Sequence, residues 1–118
     1  MTDWNGVTGY FLDKAQHPRH RIHAREMYNL LLGLRELTDF HDLDIRARYL
    51  YVTISPGTRS ECVVIHNEEP GYFTVSLYND RDLGSSIEDE YDVPAVFVPS
   101  LIRYFLKRIN TGAVSPHI

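Results

Sequence analysis

The sequence predicts an α+β fold, in which a three- to four-stranded antiparallel meander sheet carries N-terminal and C-terminal helices packed on one face. The main evidence is the segment 45–78, where three runs rich in β-branched and aromatic residues are separated by turn residues. Helical spacing of apolar residues at 19–38 and 99–110 is the second observation. With 118 residues, 43% hydrophobic and 24% charged, the chain is expected to form a single globular domain over residues 1–118.

Three helices are predicted from residues that recur on one side at helical spacing. The first covers residues 2–14, the second runs from Pro18 to about residue 38, and the third follows Pro99, because proline suits the first turn of a helix. The residues sharing one side are Trp4, Val7, Thr8 and Phe11, then Met27, Leu30, Leu31, Leu34 and Leu37, and finally Leu101, Ile102, Phe105, Leu106 and Ile109. We expect these sides to cover the sheet.

The strands are predicted at residues 45–54, 62–65 and 72–78, with a fourth, acidic edge strand at 85–91. Residues 93–98 are expected to be extended or irregular, because a proline disfavours the α conformation of the residue before it. Alternation assigns one set of side chains to the helices, namely Leu50, Val52, Ile54, Phe73, Val75 and Leu77. The other set is Tyr49, Tyr51, Thr53, Tyr72, Thr74, Ser76 and Tyr78, a Tyr-rich face that suits either solvent or a homodimer contact.

Composition limits the compartment and the partners. The one cysteine, Cys62, cannot form an internal disulfide, and the N-terminus lacks the features of a signal peptide, so a cytoplasmic protein is expected. No apolar run approaches the length of a membrane span, which argues against a membrane partner. The net charge is −4, and residues 60–118 hold nine Asp and Glu against four Lys and Arg. Binding to nucleic acid requires clustered cations, so we expect no nucleic-acid partner and favour a basic protein.

Acidic residues concentrate between residues 80 and 92, where Arg81 is the one cation. Carboxylates next to an aromatic side chain can attract a basic surface and then anchor it. A solvated acidic edge is the simpler alternative. The hypothesis we favour is a non-catalytic protein-binding module, and in layout and acidity the chain is similar to small bacterial immunity and inhibitor proteins, which neutralise a partner by binding it. The predicted contact residues are Asp82, Glu88, Asp89, Glu90 and Tyr91.

A second hypothesis is a small-ligand or metal-binding protein, with hydrolytic activity as one outcome. His20 and His23 are three residues apart, so on a helix both side chains point the same way and offer two nitrogens to a metal. The candidate third ligands are His17, Glu26 and His41. The interleaved arginines would repel a cation, but they could instead hold a phosphate or carboxylate near a helix N-terminus. These arginines are Arg19, Arg21 and Arg25.

Signs of catalysis are weak. The sequence contains no G-x-S-x-G, Walker-type or G-x-G-x-x-G motif and no H-E-x-x-H zinc motif, so no cofactor is predicted. Cys62 lies beside Val63 and Val64, and apolar surroundings raise the pKa of a thiol and make it unreactive. An enzyme is therefore the less favoured class.

Overall fold

A computed structural model describes residues 3–57, 61–79 and 87–111, and it confirms the α+β class. Two N-terminal helices precede a five-stranded antiparallel meander, and a C-terminal helix packs on the strands. The helices are α1 (Trp4–Lys14), α2 (Arg21–Leu34) and α3 (Val98–Thr111); the strands are β1 (Asp44–Arg48), β2 (Tyr51–Ser55), β3 (Cys62–Glu69), β4 (Tyr72–Tyr78) and β5 (Ile87–Pro94). Each strand pairs with the next one along the chain, so β1 and β5 form the two edges.

The predicted strand 45–54 is in fact the β1–β2 hairpin, which raises the number of strands to five. Arg48 pairs with Tyr51 across a two-residue turn in which Tyr49 has φ 45°. That conformation is uncommon for a residue with a side chain, and the turn lacks the usual Gly, Asn or Asp. Contacts with α1 hold it: the Tyr10 hydroxyl donates to the Tyr49 carbonyl at 3.0 Å, and the Lys14 ammonium lies 5.8 Å from the Tyr49 ring centroid.

The β3–β4 hairpin is longer and its turn tighter than predicted. The predicted strand 62–65 extends to Glu69, and Glu69 pairs directly with Tyr72. Only Pro70 and Gly71 form the turn, with Gly71 at φ 88°, a conformation that favours glycine. The predicted fourth strand corresponds to β5, whose described part begins at Ile87.

The helices end close to the predicted positions but not at them. The second helix begins at Arg21 rather than Pro18, because the His20 amide donates to the His17 carbonyl at 3.0 Å and closes a separate turn. It ends at Leu34, since the backbone is already extended at Leu37, ahead of a short 3₁₀ turn at Thr38–Phe40. The predicted irregular segment after β5 contains a second 3₁₀ turn, Ala95–Phe97. None of the described helices has the length and apolar character needed to cross a bilayer.

The hydrophobic core lies between the three helices and one face of the sheet, which we call the inner face. Its strand residues alternate with those of the opposite, outer face, as period-two geometry requires. The strand members of the core are Ile45, Val52, Ile54, Val63, Ile65, Phe73, Val75 and Leu77, and the largest fully buried helix members are Phe11, Met27, Leu31, Leu34, Ile102 and Phe105. The predicted inward set is therefore confirmed, although Leu50 lies in the Tyr49 turn, where it is half-buried and packs against the edge of the core.

An ion pair joins α3 to the 3₁₀ turn before the sheet. Arg103 donates from Nε and Nη2 to the two carboxylate oxygens of Asp39, at 2.7 and 3.2 Å. The Arg103 guanidinium also lies 5.1 Å from the ring centroid of Phe40, which is buried. The hydrogen bond from Arg103 lowers the pKa of Asp39 below its usual 3.8.

We predict that Asp39→Asn lowers the unfolding temperature at pH 7. Because the pKa of Asp39 is lowered in the folded state, its contribution is complete above 3.8 and is lost as the pH falls through the folded pKa. Thermal unfolding of both proteins between pH 7 and pH 3 should show their difference shrinking below about pH 4. In the Arg103→Gln background, Asp39→Asn should have a much smaller effect. A difference that is constant with pH would contradict the assignment.

Candidate binding surface

The register between β4 and β5 places carboxylates in a row on the outer face. Thr74 pairs with Asp92 and Ser76 pairs with Glu90. The Thr74 hydroxyl lies 2.5 Å from Asp92 Oδ1, and the Ser76 hydroxyl donates to Glu90 Oε1 at 2.8 Å. Hydrogen bonds to a charged acceptor are stronger than neutral ones, so the two hydroxyls hold both carboxylates in fixed positions.

A third carboxylate joins this row from β3. Glu68 Oε1 lies 3.2 Å from the Thr74 hydroxyl and 3.1 Å from His66 Nε2. Thr74 itself is only 3% exposed, whereas Glu68, Glu90 and Asp92 are all exposed. We call these three residues, Glu68, Glu90 and Asp92, the acidic face. Small buried hydroxyl residues thus support a layer of longer, charged side chains that reach solvent.

The acidic face also affects a neighbouring tyrosine. Burial, followed by the negative charge of Glu90, raises the pKa of Tyr78 above its usual value of 10. Tyr78 therefore stays protonated at neutral pH and adds a hydroxyl, not a charge, beside the carboxylates. Tyr78 lies two residues after Ser76 on the same face of β4, and it pairs with Ile87 at the start of β5. The polar surface therefore extends to that end of the strand.

Two of the predicted contact residues point to the other side of β5. Asp89 accepts a hydrogen bond from Arg108 Nη1 at 2.8 Å, and both side chains are about one quarter exposed. The Tyr91 ring stacks on Phe105 with centroids 6.1 Å apart. The nearby charge of Asp89, and then burial, raise the pKa of Tyr91. Asp89 and Tyr91 therefore attach β5 to α3, whereas Glu90 between them belongs to the acidic face.

The remaining predicted contact residues are Glu88 and Asp82. Glu88 is exposed and lies where the β4–β5 register shifts by one residue. Asp82 lies outside the described residues. The sequence prediction did not include Glu68 and Asp92, because the alternation that places Asp92 beside Glu90 was not extended past Tyr91 and Glu68 was assigned to a turn.

The histidines of the metal hypothesis lie at the start of α2. His20 is the N-cap residue, and its ring makes an edge contact with Tyr49, with centroids 5.2 Å apart. Partial burial, and then the positive charges of Lys14 and Arg19, lower the pKa of His20. His23 Nδ1 lies 2.7 Å from Oδ1 of Asn67 on β3. One nitrogen of His23 is thus already committed to the protein.

The proposed third ligands do not gather around these two histidines. Glu26 Oε1 accepts a hydrogen bond from the Gly71 amide at 2.6 Å, so it holds the β3–β4 turn. His41 contacts the carbonyl of Arg35 at the other end of α2, which is about 20 Å long. His17 is nearer, with a ring centroid 6.4 Å from that of His20. Within residues 3–57, 61–79 and 87–111, no group of three His, Cys, Asp or Glu is placed to hold a metal ion. The metal site stays a prediction.

The three arginines of the anion hypothesis are exposed at the same end of α2. Arg19 lies in the turn before the helix, and Arg21 and Arg25 are one turn apart on it. This spacing places Arg21 and Arg25 on one side of the helix. The anion site is likewise untested and stays a prediction.

The Tyr-rich face differs from the expected arrangement. Tyr49 lies in the β1–β2 turn instead of a strand, and Thr74 and Ser76 are buried under the acidic face. Tyr51 and Tyr78 are half-buried. A homodimer through this face stays a prediction, which a doubled mass in solution would support.

An apolar groove lies on the inner side of β5, next to α3. Its volume is about 350 Å³, and it is lined by Tyr91, Val93, Phe97, Ser100, Leu101 and Tyr104. Phe97 is 57% exposed and Tyr104 50% exposed, large values for aromatic side chains of this size. We call it the Phe97 groove. The sequence predicted only an extended or irregular segment at 93–98, and a local pattern does not show that Val96 and Phe97 are exposed while Val98 is buried.

Comparison with known proteins adds no relative: no family model, curated protein or solved structure matches the chain. Function must therefore be argued from the surfaces themselves.

We predict that Asn67→Ala costs about 2–3 kcal/mol of unfolding free energy. Asn67 is 6% exposed, and its Nδ2 donates to the carbonyls of Glu69 and Tyr72 at 2.8 and 2.9 Å. The substitution removes both of these hydrogen bonds and the contact with His23 Nδ1. Urea unfolding gives the measurement, with His66→Ala on the outer face as a control that should cost about 0.5 kcal/mol or less. An Asn67→Ala protein as stable as the wild type would refute this role.

Proposed function

We propose that the chain is a non-catalytic module that binds a basic protein through the acidic face, Glu68, Glu90 and Asp92, together with Glu88. The observation that carries this proposal is the pair of hydroxyl supports under Glu90 and Asp92, which keep two charges fixed and exposed. Fixed charges lose less conformational entropy on binding than mobile ones, so they favour recognition over mere solubility.

The charge balance of β3, β4 and β5 supports the same proposal, whereas Arg46 and Arg48 lie on β1 at the opposite edge of the sheet. Asp89, the acidic residue of β5 that points to the inner side, is neutralised by Arg108. Among the described outer-face residues of β3, β4 and β5 there is no Lys or Arg, and His66 contacts Glu68. The negative electrostatic potential of the acidic face therefore extends into solvent, where it can raise the association rate with a positively charged surface.

The proposal keeps the cytoplasm as the compartment. A lone cysteine is typical of proteins in reducing surroundings, and Cys62 is buried in β3. A role like that of immunity and inhibitor proteins, which act by occupying a partner, would need no catalytic group on this face.

The test is capture of partners from a lysate of the source organism at low and at high salt. The triple variant Glu88→Gln, Glu90→Gln and Asp92→Asn removes three charges but keeps the oxygen acceptors for Thr74 and Ser76. We predict that it folds normally and that its association with the captured basic protein is about tenfold slower or worse at low salt.

The matched control carries Asp13→Asn, Glu36→Gln and Asp42→Asn, which removes the same charge at exposed sites away from β5. It should capture the partner as the wild type does. If both triple variants lose the partner equally, only net charge matters and the acidic face is not the site. If the wild type retains no basic protein at either salt concentration, the proposal is wrong and the histidine and arginine cluster is the next site to test.

A further inference from the structure

We propose that the basic partner adds an extended strand to the edge of β5, with basic side chains over the acidic face and apolar side chains in the Phe97 groove. This inference rests on the proposed function and specifies the chemistry of the partner. The shared element is β5, since Glu90 and Asp92 project from its outer side and Tyr91 and Val93 from its inner side.

The first step of the argument is the edge itself. In the described chain β5 pairs only with β4, so its second side carries no strand. Along this eight-residue edge, backbone N–H and C=O groups that do not pair with β4 can pair with another extended chain. The Glu90 amide donates to Asp89 Oδ1 at 3.0 Å, so an added strand would replace that hydrogen bond. Peptide recognition by strand addition uses these backbone groups for affinity and alternate side chains for specificity.

The second step is the difference between the two sides of that edge. A strand laid along β5 would alternate in the same way, so every second side chain would lie beside Glu90 and Asp92. The side chains between them would lie on the inner side, beside Tyr91 and Val93, and would enter the Phe97 groove. A ligand with alternating basic and apolar residues satisfies both sides together.

The third step concerns a second copy of this chain as the occupant. In a two-fold antiparallel pairing of two β5 edges, the outer faces would form one continuous surface. Glu88, Glu90 and Asp92 of one copy would then lie near the same residues of the other, and like charges across strands are destabilising. Charge therefore favours a basic strand over self-pairing.

The groove also fits side chains rather than a small molecule. Its volume of about 350 Å³ is near the lower end for ligand pockets, and its lining is mainly aromatic and aliphatic. Tyr91 and Phe97 are 45% and 57% exposed, so the groove has aromatic walls that an entering apolar side chain would cover. Aromatic residues of this kind are enriched in protein contacts.

The experiment uses three kinds of synthetic eight-residue peptide. The first alternates Lys with Val or Tyr, the second has the same composition with the lysines grouped at one end, and the third is the alternating peptide N-methylated at every second residue, made in both registers. We expect the alternating peptide to bind at least tenfold more tightly than the grouped one. One N-methylated register should lose binding, because N-methylation removes the donors on the edge that faces β5.

Amide hydrogen exchange locates the site, and slower exchange should appear in residues 87–94. Phe97→Ser should weaken the alternating peptide at least fivefold. The adjacent Val96→Ser is the matched control, since Val96 is 76% exposed and lines a different groove with Leu30 and Leu37. It should leave the affinity unchanged.

The outcomes separate the two proposals. If both unmethylated peptides bind equally and both are lost in the Glu88, Glu90 and Asp92 variant, strand addition is wrong but the acidic face still recruits basic chains. If no peptide binds, strand addition is wrong, and capture from lysate decides the proposed function on its own. If protection of 87–94 instead rises with protein concentration alone, the occupant is a second copy.

Discussion

The alternation of side chains along β5 is the constraint on which the surface of this protein depends. Successive residues of β5 point to opposite faces of the sheet, and the helices cover only one of these faces. Neighbouring residues of β5 therefore have different surroundings. Asp89 forms an ion pair with Arg108 and Tyr91 stacks on Phe105, whereas Glu90 and Asp92 point outward and accept hydrogen bonds from β4. One short acidic sequence thus both attaches the edge strand to α3 and presents carboxylates on the outer face.

Two α2 residues that were candidate metal ligands, His23 and Glu26, also make contacts with the sheet. His23 and Glu26 are spaced so that both reach the β3–β4 hairpin, where they meet Asn67 and the Gly71 amide. Polar residues on the sheet side of a helix need partners when they are partly buried. Here the hairpin supplies them, and the helix is tied to the sheet by hydrogen bonds as well as by the core.

Much of the fold could be predicted from local patterns. Helical spacing predicted the three helices, and the alternation in residues 72–78 predicted β4 with its core-facing side correct. The β1–β2 turn could not be found in this way, because Tyr49 carries no turn signal and adopts φ 45° in a tertiary setting. Its carbonyl accepts a hydrogen bond from Tyr10, a contact that spans 39 residues and is invisible to local reasoning.

The proposed binding surface could be predicted less completely than the fold. Acidity alone pointed to the segment that forms β5, but a cluster of charges in sequence contains residues of both sides of a strand. Separating Asp89 from Glu90 required the position of Arg108, which the sequence places 19 residues away. The Phe97 groove was missed for the opposite reason, since exposure of an apolar side chain depends on what the fold leaves uncovered.

The most direct test of this account compares Asp89→Asn with Glu90→Gln, two adjacent substitutions that each remove one carboxylate charge. Each protein is measured for unfolding free energy and for the association rate with the captured basic partner at low salt. We predict that Asp89→Asn loses about 1 kcal/mol of stability and keeps its association rate, while Glu90→Gln keeps its stability and associates more slowly. The reverse pattern, with Glu90 needed for stability and Asp89 for binding, would contradict the division of β5 into a structural side and a binding side.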